Sequence, residues 1–206
     1  STLIDYLKSH YLNEDGALDT ITNGETPLID NVEIQEVEEE GITYKLYYYI
    51  ENEGTGRKAN KLDSVMVDFT GILLDSTVFN PKASRWFDLM NILYSNPKGA
   101  IGFAHGLENL REGELIVNDD ESFDFINSGK GILFLPSGLG YKNRTSASIA
   151  PNSPMIFQIT LKRINESDHD NDGVLTKDKD ANGDVDPTND DTNGNEIPDN
   201  LEKDTK

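Results

Sequence analysis

Residues 65–80 read VMVDFTGILLDSTVFN, and the fold prediction starts from this stretch. Val65, Val67 and Phe69 are apolar at every second position, which is the pattern of a β-strand with one buried face. Gly71 then interrupts the alternation and predicts a turn. The stretch therefore predicts β-structure rather than helix at the centre of the domain.

The same alternation recurs on both sides of this stretch. Residues 43–50 and 155–161 place apolar or aromatic side chains at every second position, and residues 132–135 form a short continuous apolar run. These segments predict three further strands. In the first of them, the side chains expected to share one face are Tyr44, Leu46, Tyr48 and Ile50.

One short helix is predicted over residues 104–111. Phe103, Leu107 and Leu110 share one side of this helix, and Gly113 follows it as a C-cap. Several antiparallel strands and one helix predict an α+β domain in which a curved sheet packs on that helix.

The composition of the chain excludes several classes of protein. Its 206 residues include no cysteine, so thiol nucleophiles, disulfides and cysteine-ligated metal centres are impossible. No apolar run approaches the roughly 20 residues that span a bilayer, so we expect no direct membrane insertion of this chain. The formal charge of −20 argues against nucleic acid as a partner and favours divalent cations.

The negative charge is concentrated at the two ends of the chain. Residues 1–40 carry 11 acidic and 1 basic side chains, residues 41–165 carry 13 of each, and residues 166–206 carry 14 and 4. The neutral middle has the size of one domain. We therefore expect an N-terminal helix with an acidic linker, a central domain, and an acidic tail.

In the N-terminal part, four apolar residues recur at helical spacing. They are Leu3, Ile4, Leu7 and Tyr11, spaced three and four apart. This spacing predicts a helix of about three turns that docks its apolar stripe on a partner surface. The acidic residues that follow predict a solvated linker.

Known catalytic motifs are missing from the sequence. It has no G-x-S-x-G, Walker, G-x-G-x-x-G or H-E-x-x-H motif. Its three histidines lie in three different parts of the chain, and His105 falls on the polar side of the predicted helix, where we expect it to be exposed. The central domain is rich in aromatic residues instead, and composition alone assigns these to a core.

Four segments of the central domain resemble, in the same order, the FK506-binding-protein (FKBP) family of peptidyl-prolyl isomerases. They are residues 65–80, AIGFAHGLENLREG at 100–113, LPSGLGY at 135–141 and IAPNSPMIF at 149–157. The resemblance covers residues 41–165. It implies a five- or six-stranded antiparallel half-barrel sheet around one short helix, and peptidyl-prolyl cis-trans isomerase activity on X-Pro bonds without a cofactor for catalysis.

The resemblance also implies a substrate pocket. Tyr141 resembles the tyrosine whose hydroxyl bonds a ligand carbonyl, and the backbone N–H of Ala100 takes the place of a second substrate contact. Either Trp86 or Phe87 supplies one aromatic wall, and the sequence leaves this choice open. The implied site residues are Phe69, Phe79, Asn80, Trp86, Phe87, Ala100, Ile101, Phe103, Tyr141, Ile149 and Phe157.

Three features depart from the family pattern. Asn80 stands where the family has an aspartate, and Phe103 replaces a tryptophan on the pocket floor. Residues 115–128 form an insertion, which we expect to be a surface loop. These departures leave an alternative open: a non-catalytic peptide-binding module with a degenerate pocket and calcium-dependent partner docking.

The acidic tail repeats a spacing suited to metal binding. Carboxylate and amide oxygens alternate before a glycine in a first frame, DHDNDG at 168–173, and related second and third frames follow at 178–186 and 191–202. Calcium takes six to eight oxygen ligands, and its loops need a glycine for the sharp turn. The candidate ligands are Asp168, Asp170, Asp172, Asp178, Asp180, Asn182, Asp184, Asp186, Asp191, Asn193, Asn195, Asp199 and Glu202.

The tail resembles the calcium-binding repeats of thrombospondin type 3, especially at residues 191–202. It departs from them at Lys179, which occupies position twelve of the first loop. The resemblance implies structural calcium ions.

Isomerases of the FKBP family that carry such repeats resemble bacterial cell-envelope lipoproteins. We therefore expect an extracytoplasmic protein, lipid-anchored upstream of Ser1, that acts on proline-containing peptides or unfolded proteins. A calcium-rigidified surface or adhesion protein is a third hypothesis.

Overall fold

The structure is a computed structural model that describes residues 2–146, 148–184 and 186–203. Its elements in chain order are α1 (Leu3–Ser9), β1 (His10–Leu12), β2 (Leu18–Thr20), β3 (Glu33–Glu39), β4 (Ile42–Asn52), β5 (Ser64–Leu73), β6 (Val78–Asp88), α2 (Leu89–Tyr94), α3 (Ile101–Leu107), β7 (Glu114–Val117), β8 (Phe123–Ile126), β9 (Gly129–Leu135) and β10 (Met155–Asn165).

A six-stranded antiparallel sheet organises the fold, in the order β3–β4–β9–β10–β5–β6. Strands β3 and β6 are its two edges, so the sheet is open and does not close into a barrel. Every predicted strand segment falls within one of its strands. The predicted α+β class, with a large antiparallel sheet and few helices, is confirmed.

The main core lies between one face of the sheet and the helices α2 and α3. Side chains at alternate positions of β4, including the predicted set from Tyr44 to Ile50, belong to this core or pack against it. Leu107 of α3 and Leu133 of β9 are fully buried there, and burial of each such side chain contributes about 1.5–3 kcal/mol. A Cβ on Gly106 would lie 2.6 Å from Leu133 Cδ2 and closer still to its Cδ1, so glycine here lets the helix approach the sheet closely.

A second core covers the opposite face of the sheet. Leu3, Tyr6 and Leu7 of α1 pack on outward-facing residues of β4 and β9, among them Tyr47 and Phe134. The predicted apolar stripe therefore docks on the protein's own sheet. The helix is shorter than predicted, because a capping box starts it at Thr2 and strand β1 follows from residue 10.

The structure corrects several predicted boundaries. The acidic segment before residue 41 is not a solvated linker, since Glu33–Glu39 forms the edge strand β3 and pairs with β4. Helix α3 spans Ile101–Leu107 instead of 104–111. Gly71 lies inside β5 and is not a turn.

Several elements were not predicted from the sequence, among them the edge strands β3 and β6, helix α2 and the hairpin β7–β8. Helix α2 follows directly on β6, and the Asp88 side chain caps it by accepting a hydrogen bond from the Asn91 backbone N–H at 3.0 Å. The insertion at 115–128 lies on the surface as expected, but it forms a two-stranded hairpin, β7–β8, with ordered antiparallel pairing.

The described part of the acidic tail contacts the central domain. Glu166 pairs with Arg57 at 3.2 Å, and the Ser167 and Ser64 hydroxyls lie 3.1 Å apart. His169 Nε2 lies 3.3 Å from an Asp88 carboxylate oxygen. These contacts hold the start of the tail beside the junction of β6 and α2. None of the helices in the described residues is long and apolar enough to cross a membrane.

Candidate active site

Five phenylalanines meet between the sheet and helix α3. Phe103 of α3 lies at the centre, with ring centroids 5.1 Å from Phe87, 5.1 Å from Phe157 and 5.9 Å from Phe69. Phe79 contacts Phe157 at 5.6 Å with an interplanar angle of 89°. Most of these contacts are edge-to-face, the arrangement that aromatic rings prefer, and each contributes about 0.5–1.5 kcal/mol beyond burial.

The strand register explains how these rings come together. Phe69 of β5 pairs with Ile159 of β10, two residues after Phe157, so both rings point to the helix side of the sheet. Phe79 directly precedes Asn80, the residue of β6 that pairs with Gly71, and a Cβ on Gly71 would overlap the Phe79 ring. Glycine at position 71 is therefore needed so that the Phe79 ring can lie across the strand.

The rings form the wall of a cavity of about 350 Å³. The structure brings nine of the eleven predicted site residues to its lining: Phe69, Phe79, Asn80, Phe87, Ala100, Phe103, Tyr141, Ile149 and Phe157. No aspartate, glutamate, histidine or lysine lines the cavity within the described residues. The site therefore offers an apolar, aromatic environment rather than a general acid or base.

Two residues of this lining carry a hydrogen-bond donor that has no partner in the described part of the chain. Tyr141 lines the cavity, and its hydroxyl makes no hydrogen bond to the described residues. Ala100 is the N-cap of α3; its carbonyl accepts from the Phe103 N–H at 2.9 Å, but its own N–H has no acceptor there. Both groups are available to a carbonyl oxygen of a bound peptide.

Two predicted site residues lie elsewhere. Trp86 points to the opposite face of the sheet and is 52% exposed, so Phe87 supplies the aromatic wall that the sequence left open. Successive side chains of a strand point to opposite faces, which is why only one of these neighbours can reach the cavity. Ile101 is buried in the core beneath α3 and does not line the cavity.

Sequence reasoning missed five residues of the lining: Arg85, Ile92, Gly99, Ser146 and Ser148. Arg85 could have been found from its spacing, because it shares the inner face of β6 with Phe87, two positions further along. Ile92 lies on the unpredicted helix α2.

His105, expected to be exposed, is instead half-buried with Nδ1 3.3 Å from a Glu108 carboxylate oxygen.

A buried ion pair supports two of the segments that form the cavity. The Glu39 carboxylate at the end of β3 accepts hydrogen bonds from Lys98, at 3.0 Å to both oxygens, and from Lys142 at 3.0 Å. Lys98 precedes Ala100 by two residues, and Lys142 directly follows Tyr141. Burial alone would raise the pKa of Glu39, but the hydrogen bonds from the two lysines outweigh it and hold that pKa below its usual value.

In the tail, a lysine ammonium contacts the carboxylates of the first predicted metal frame. The carboxylates of Asp168, Asp170 and Asp172 lie within 4.8 Å of one another. The Lys179 ammonium lies 2.5 Å from Asp170 and 3.0 Å from Asp172, and it also donates to the Glu202 carbonyl at 3.2 Å. Burial opposes the charge of Lys179, but these hydrogen bonds outweigh it and raise its pKa.

In the second frame, the predicted oxygens form a chain of turns. Asp180 accepts from the Gly183 N–H, Asn182 from the Asp184 N–H, and Asp184 from the Asp186 N–H, at 2.8–2.9 Å. Asp178 lies in the preceding 3₁₀ turn, Thr176–Lys179. Among the described residues, the carboxylates of this frame do not converge on one point as those of the first frame do.

In the third frame, two of the predicted ligands meet a third. The side-chain amides of Asn193 and Asn195 lie 2.8 and 2.6 Å from the two carboxylate oxygens of Glu202. Asp191 accepts from the backbone N–H groups of residues 194–196. Asp199 is occupied differently, because its oxygens accept from the backbone N–H and the hydroxyl of Thr192.

One further tail residue was missed by the sequence analysis. Asn200 is fully buried, and neither atom of its side-chain amide has a hydrogen-bond partner within the described residues. An unsatisfied buried amide is costly, at about 1–3 kcal/mol. Its burial inside the tail indicates a group that a bound ion or water would satisfy.

An open antiparallel sheet with a short helix on one face and an aromatic cavity between them defines an α+β binding domain. No family model matches the sequence. The chain is 30% identical over 122 residues to the peptidyl-prolyl cis-trans isomerase Mip of Chlamydia muridarum, covering 59% of this chain and 42% of that protein.

Two further relatives agree with this match. The chain is 27% identical over 124 residues to a probable FKBP-type peptidyl-prolyl cis-trans isomerase, FkpA, of Neisseria meningitidis serogroup B, covering 58% of this chain and 38% of that protein. It is 29% identical over 124 residues to the outer membrane protein MIP of Legionella longbeachae, covering 59% and 45%. The matches support the FKBP-type family, although the chain spans less than half the length of these relatives.

Proposed function

We propose that the central domain is a peptidyl-prolyl cis-trans isomerase of the FKBP type that acts on X-Pro bonds. The observation that carries this proposal is the aromatic cavity, whose five phenylalanines surround a space of about 350 Å³. The unpartnered Tyr141 hydroxyl and Ala100 N–H supply two donors at its edge. A proline ring with its flanking carbonyls matches this combination of apolar wall and polar rim.

The physical chemistry of the amide explains why such a cavity is sufficient. Rotation about the peptide bond costs about 18–20 kcal/mol because resonance is lost, while the cis and trans forms of X-Pro differ by only about 0.5–1 kcal/mol. The twisted amide has less charge separation than the planar one. A cavity that removes water from the amide therefore disfavours the planar ground state, and no acid, base or nucleophile is required.

The experiment that tests this proposal is a cis/trans assay on a Leu-Pro peptide. We expect catalysis by the wild-type protein and a loss of about tenfold in Tyr141→Phe, since one hydrogen bond of about 1–1.5 kcal/mol is removed. Tyr49→Phe is the matched control, because Tyr49 packs on the outer face of the sheet. A wild-type rate equal to the uncatalysed rate would refute isomerase activity.

A binding-only module is the second candidate function. The observation in its favour is that Asn80 provides no charge and no carboxylate lines the cavity within the described residues. In that case the protein binds a proline-containing peptide without accelerating its isomerisation, and the tail docks a partner when calcium is bound. Titration of the peptide separates the two functions, because Asn80→Asp would then gain catalytic activity without a comparable gain in affinity.

We propose further that the tail binds structural calcium, with the third frame as its principal site. Asp191, Asn193, Asn195 and Glu202 offer only oxygen ligands once the two amides are turned, and such amide orientations are exchangeable. The orphaned Asn200 amide supports the same conclusion. Calorimetry with calcium, repeated with a chelator, tests this: absence of heat in the calcium titration would refute it.

We also propose an extracytoplasmic location in the cell envelope, with folding of exported proteins as the role of the isomerase. The name of the Legionella relative, an outer membrane protein, supports this location. Calcium sites of this kind suit millimolar extracellular calcium. Fractionation of cells that produce the complete protein, with lipid labelling to detect an anchor, tests it; recovery in the cytoplasm without lipid would contradict it.

A further inference from the structure

Arg85 is the charged side chain in the lining of the candidate substrate cavity. It lies on β6 with Ala83 and Phe87, which pack against the same core. Arg85 is exposed, and it forms no salt bridge with any described carboxylate. Asn80, the other polar residue of β6 in the lining, carries no charge. The rim of the cavity therefore carries one uncompensated positive charge.

The surroundings determine what this charge recognises. A guanidinium carries five N–H donors in a planar fork that matches a carboxylate, and it is weakly hydrated compared with an ammonium. The donors of Arg85 are free to bind an anionic group of a peptide whose proline occupies the cavity.

We infer that Arg85 makes the site selective for peptides with an aspartate or glutamate immediately before the proline. This inference rests on the proposed peptide-binding function of the cavity and names the substrate class. The two ends of the chain would repel such acidic peptides, because residues 1–40 and 166–206 are strongly acidic. At physiological salt this repulsion is screened beyond about 8–10 Å, whereas Arg85 acts at contact distance.

The test compares peptides that differ only in the residue before proline: Glu, Gln and Lys. For the wild-type protein we expect kcat/KM to be about three- to tenfold higher for Glu-Pro than for Gln-Pro, the effect of one partly exposed charge pair. Lys-Pro should be the slowest. The preference should fall toward unity in 0.5 M salt, because an exposed ion pair is screened.

Three variants identify the origin of the preference. Arg85→Gln should abolish the difference between Glu-Pro and Gln-Pro, and Asn80→Asp should reduce it by supplying a fixed carboxylate at the rim. Lys82→Gln is the matched control, since it removes one positive charge from the same strand but lies outside this cavity; it should leave the ratio unchanged. The net charge of the protein differs by at most one between each variant and the wild type, so repulsion from the acidic ends of the chain is nearly the same in all of them.

Equal rates for Glu-Pro and Lys-Pro in the wild-type protein, or a preference retained in Arg85→Gln, would overturn the inference. If no peptide is isomerised, the proposed enzyme function fails but the charge selection is still tested. In that case the affinities of the same peptides are measured by titration, and the same ratios are expected in Kd. Equal affinities for the three peptides would overturn the inference in that setting too.

Discussion

Replacement of Glu39 by glutamine is expected to weaken both the fold and the candidate site. The Glu39 carboxylate is 9% exposed and connects the end of β3 to Lys98 and Lys142. These lysines flank the segments that carry Ala100 and Tyr141, the two donors at the cavity rim. Glutamine keeps the shape and one acceptor oxygen but removes the charge that both ammonium groups contact.

The expected loss of stability is about 1–3 kcal/mol. Hydrogen bonds to charged groups contribute about 1.5–3 kcal/mol each, but the lysine side chains are 39% and 28% exposed, so water replaces part of what is lost. Lys142 also retains a contact of 2.7 Å with Glu40. For a chain of this length, 2 kcal/mol corresponds to a decrease in Tm of about 4–8 °C.

The loss should depend on pH in a defined direction. The pKa of Glu39 in the folded protein lies below its usual value of 4.5, so its contribution to stability is fully present above that pH. It disappears as the pH falls through the lowered pKa, when the folded carboxylate is protonated. The difference between wild type and Glu39→Gln should therefore be constant near neutrality and shrink below about pH 4.5.

The measurement is urea unfolding of both proteins across this pH range, together with isomerase activity at pH 7. Glu38→Gln is the control, because Glu38 is exposed on the same strand and the charge change is identical. We expect it to change stability by less than about 0.5 kcal/mol. Equal effects of the two substitutions, or a difference that grows at low pH, would refute the role assigned to the buried ion pair.

Further predictions concern backbone packing, the aromatic wall and the tail. Gly54→Ala should destabilise the fold by more than about 3 kcal/mol, because at φ 90° its Cβ would lie 2.7 Å from the Gly129 nitrogen. Gly24 has a similar φ of 82° but open space around it, so Gly24→Ala should lower the free energy of unfolding by only about 1–2 kcal/mol. Phe87→Leu should lower the free energy of unfolding by about 1–3 kcal/mol, because two ring contacts are lost. Trp86→Phe, on the outer face, should change it by less than about 0.5 kcal/mol in the same thermal unfolding experiment. Lys179→Glu should raise the number of calcium ions bound by one in calorimetry, because it removes the ammonium from the first frame and adds a carboxylate; unchanged stoichiometry would show that the lysine does not exclude an ion.

Several features were predictable because they depend on local patterns. Alternating apolar residues such as Val65, Val67 and Phe69 indicate a strand with one buried face wherever that strand pairs, since the two-residue period is a property of the extended backbone itself. The resemblance between short segments then predicted eleven site residues, of which nine line the cavity. Position 71 shows the limit: glycine has no preferred conformation, so its place within a strand depended on the Phe79 ring across from it.

Local patterns predicted the α+β class, four strands of the central sheet and the neutral charge of the central domain, and the family resemblance predicted most of the aromatic wall. The tertiary structure decided which of Trp86 and Phe87 faces the cavity, that α1 docks on its own sheet, and that Lys179 closes the first acidic frame. It also joined Glu39 to Lys98 and Lys142, which are 59 and 103 residues away along the chain. Such contacts depend on packing between segments that are distant in the chain, and local patterns in a single sequence do not specify which distant segments meet.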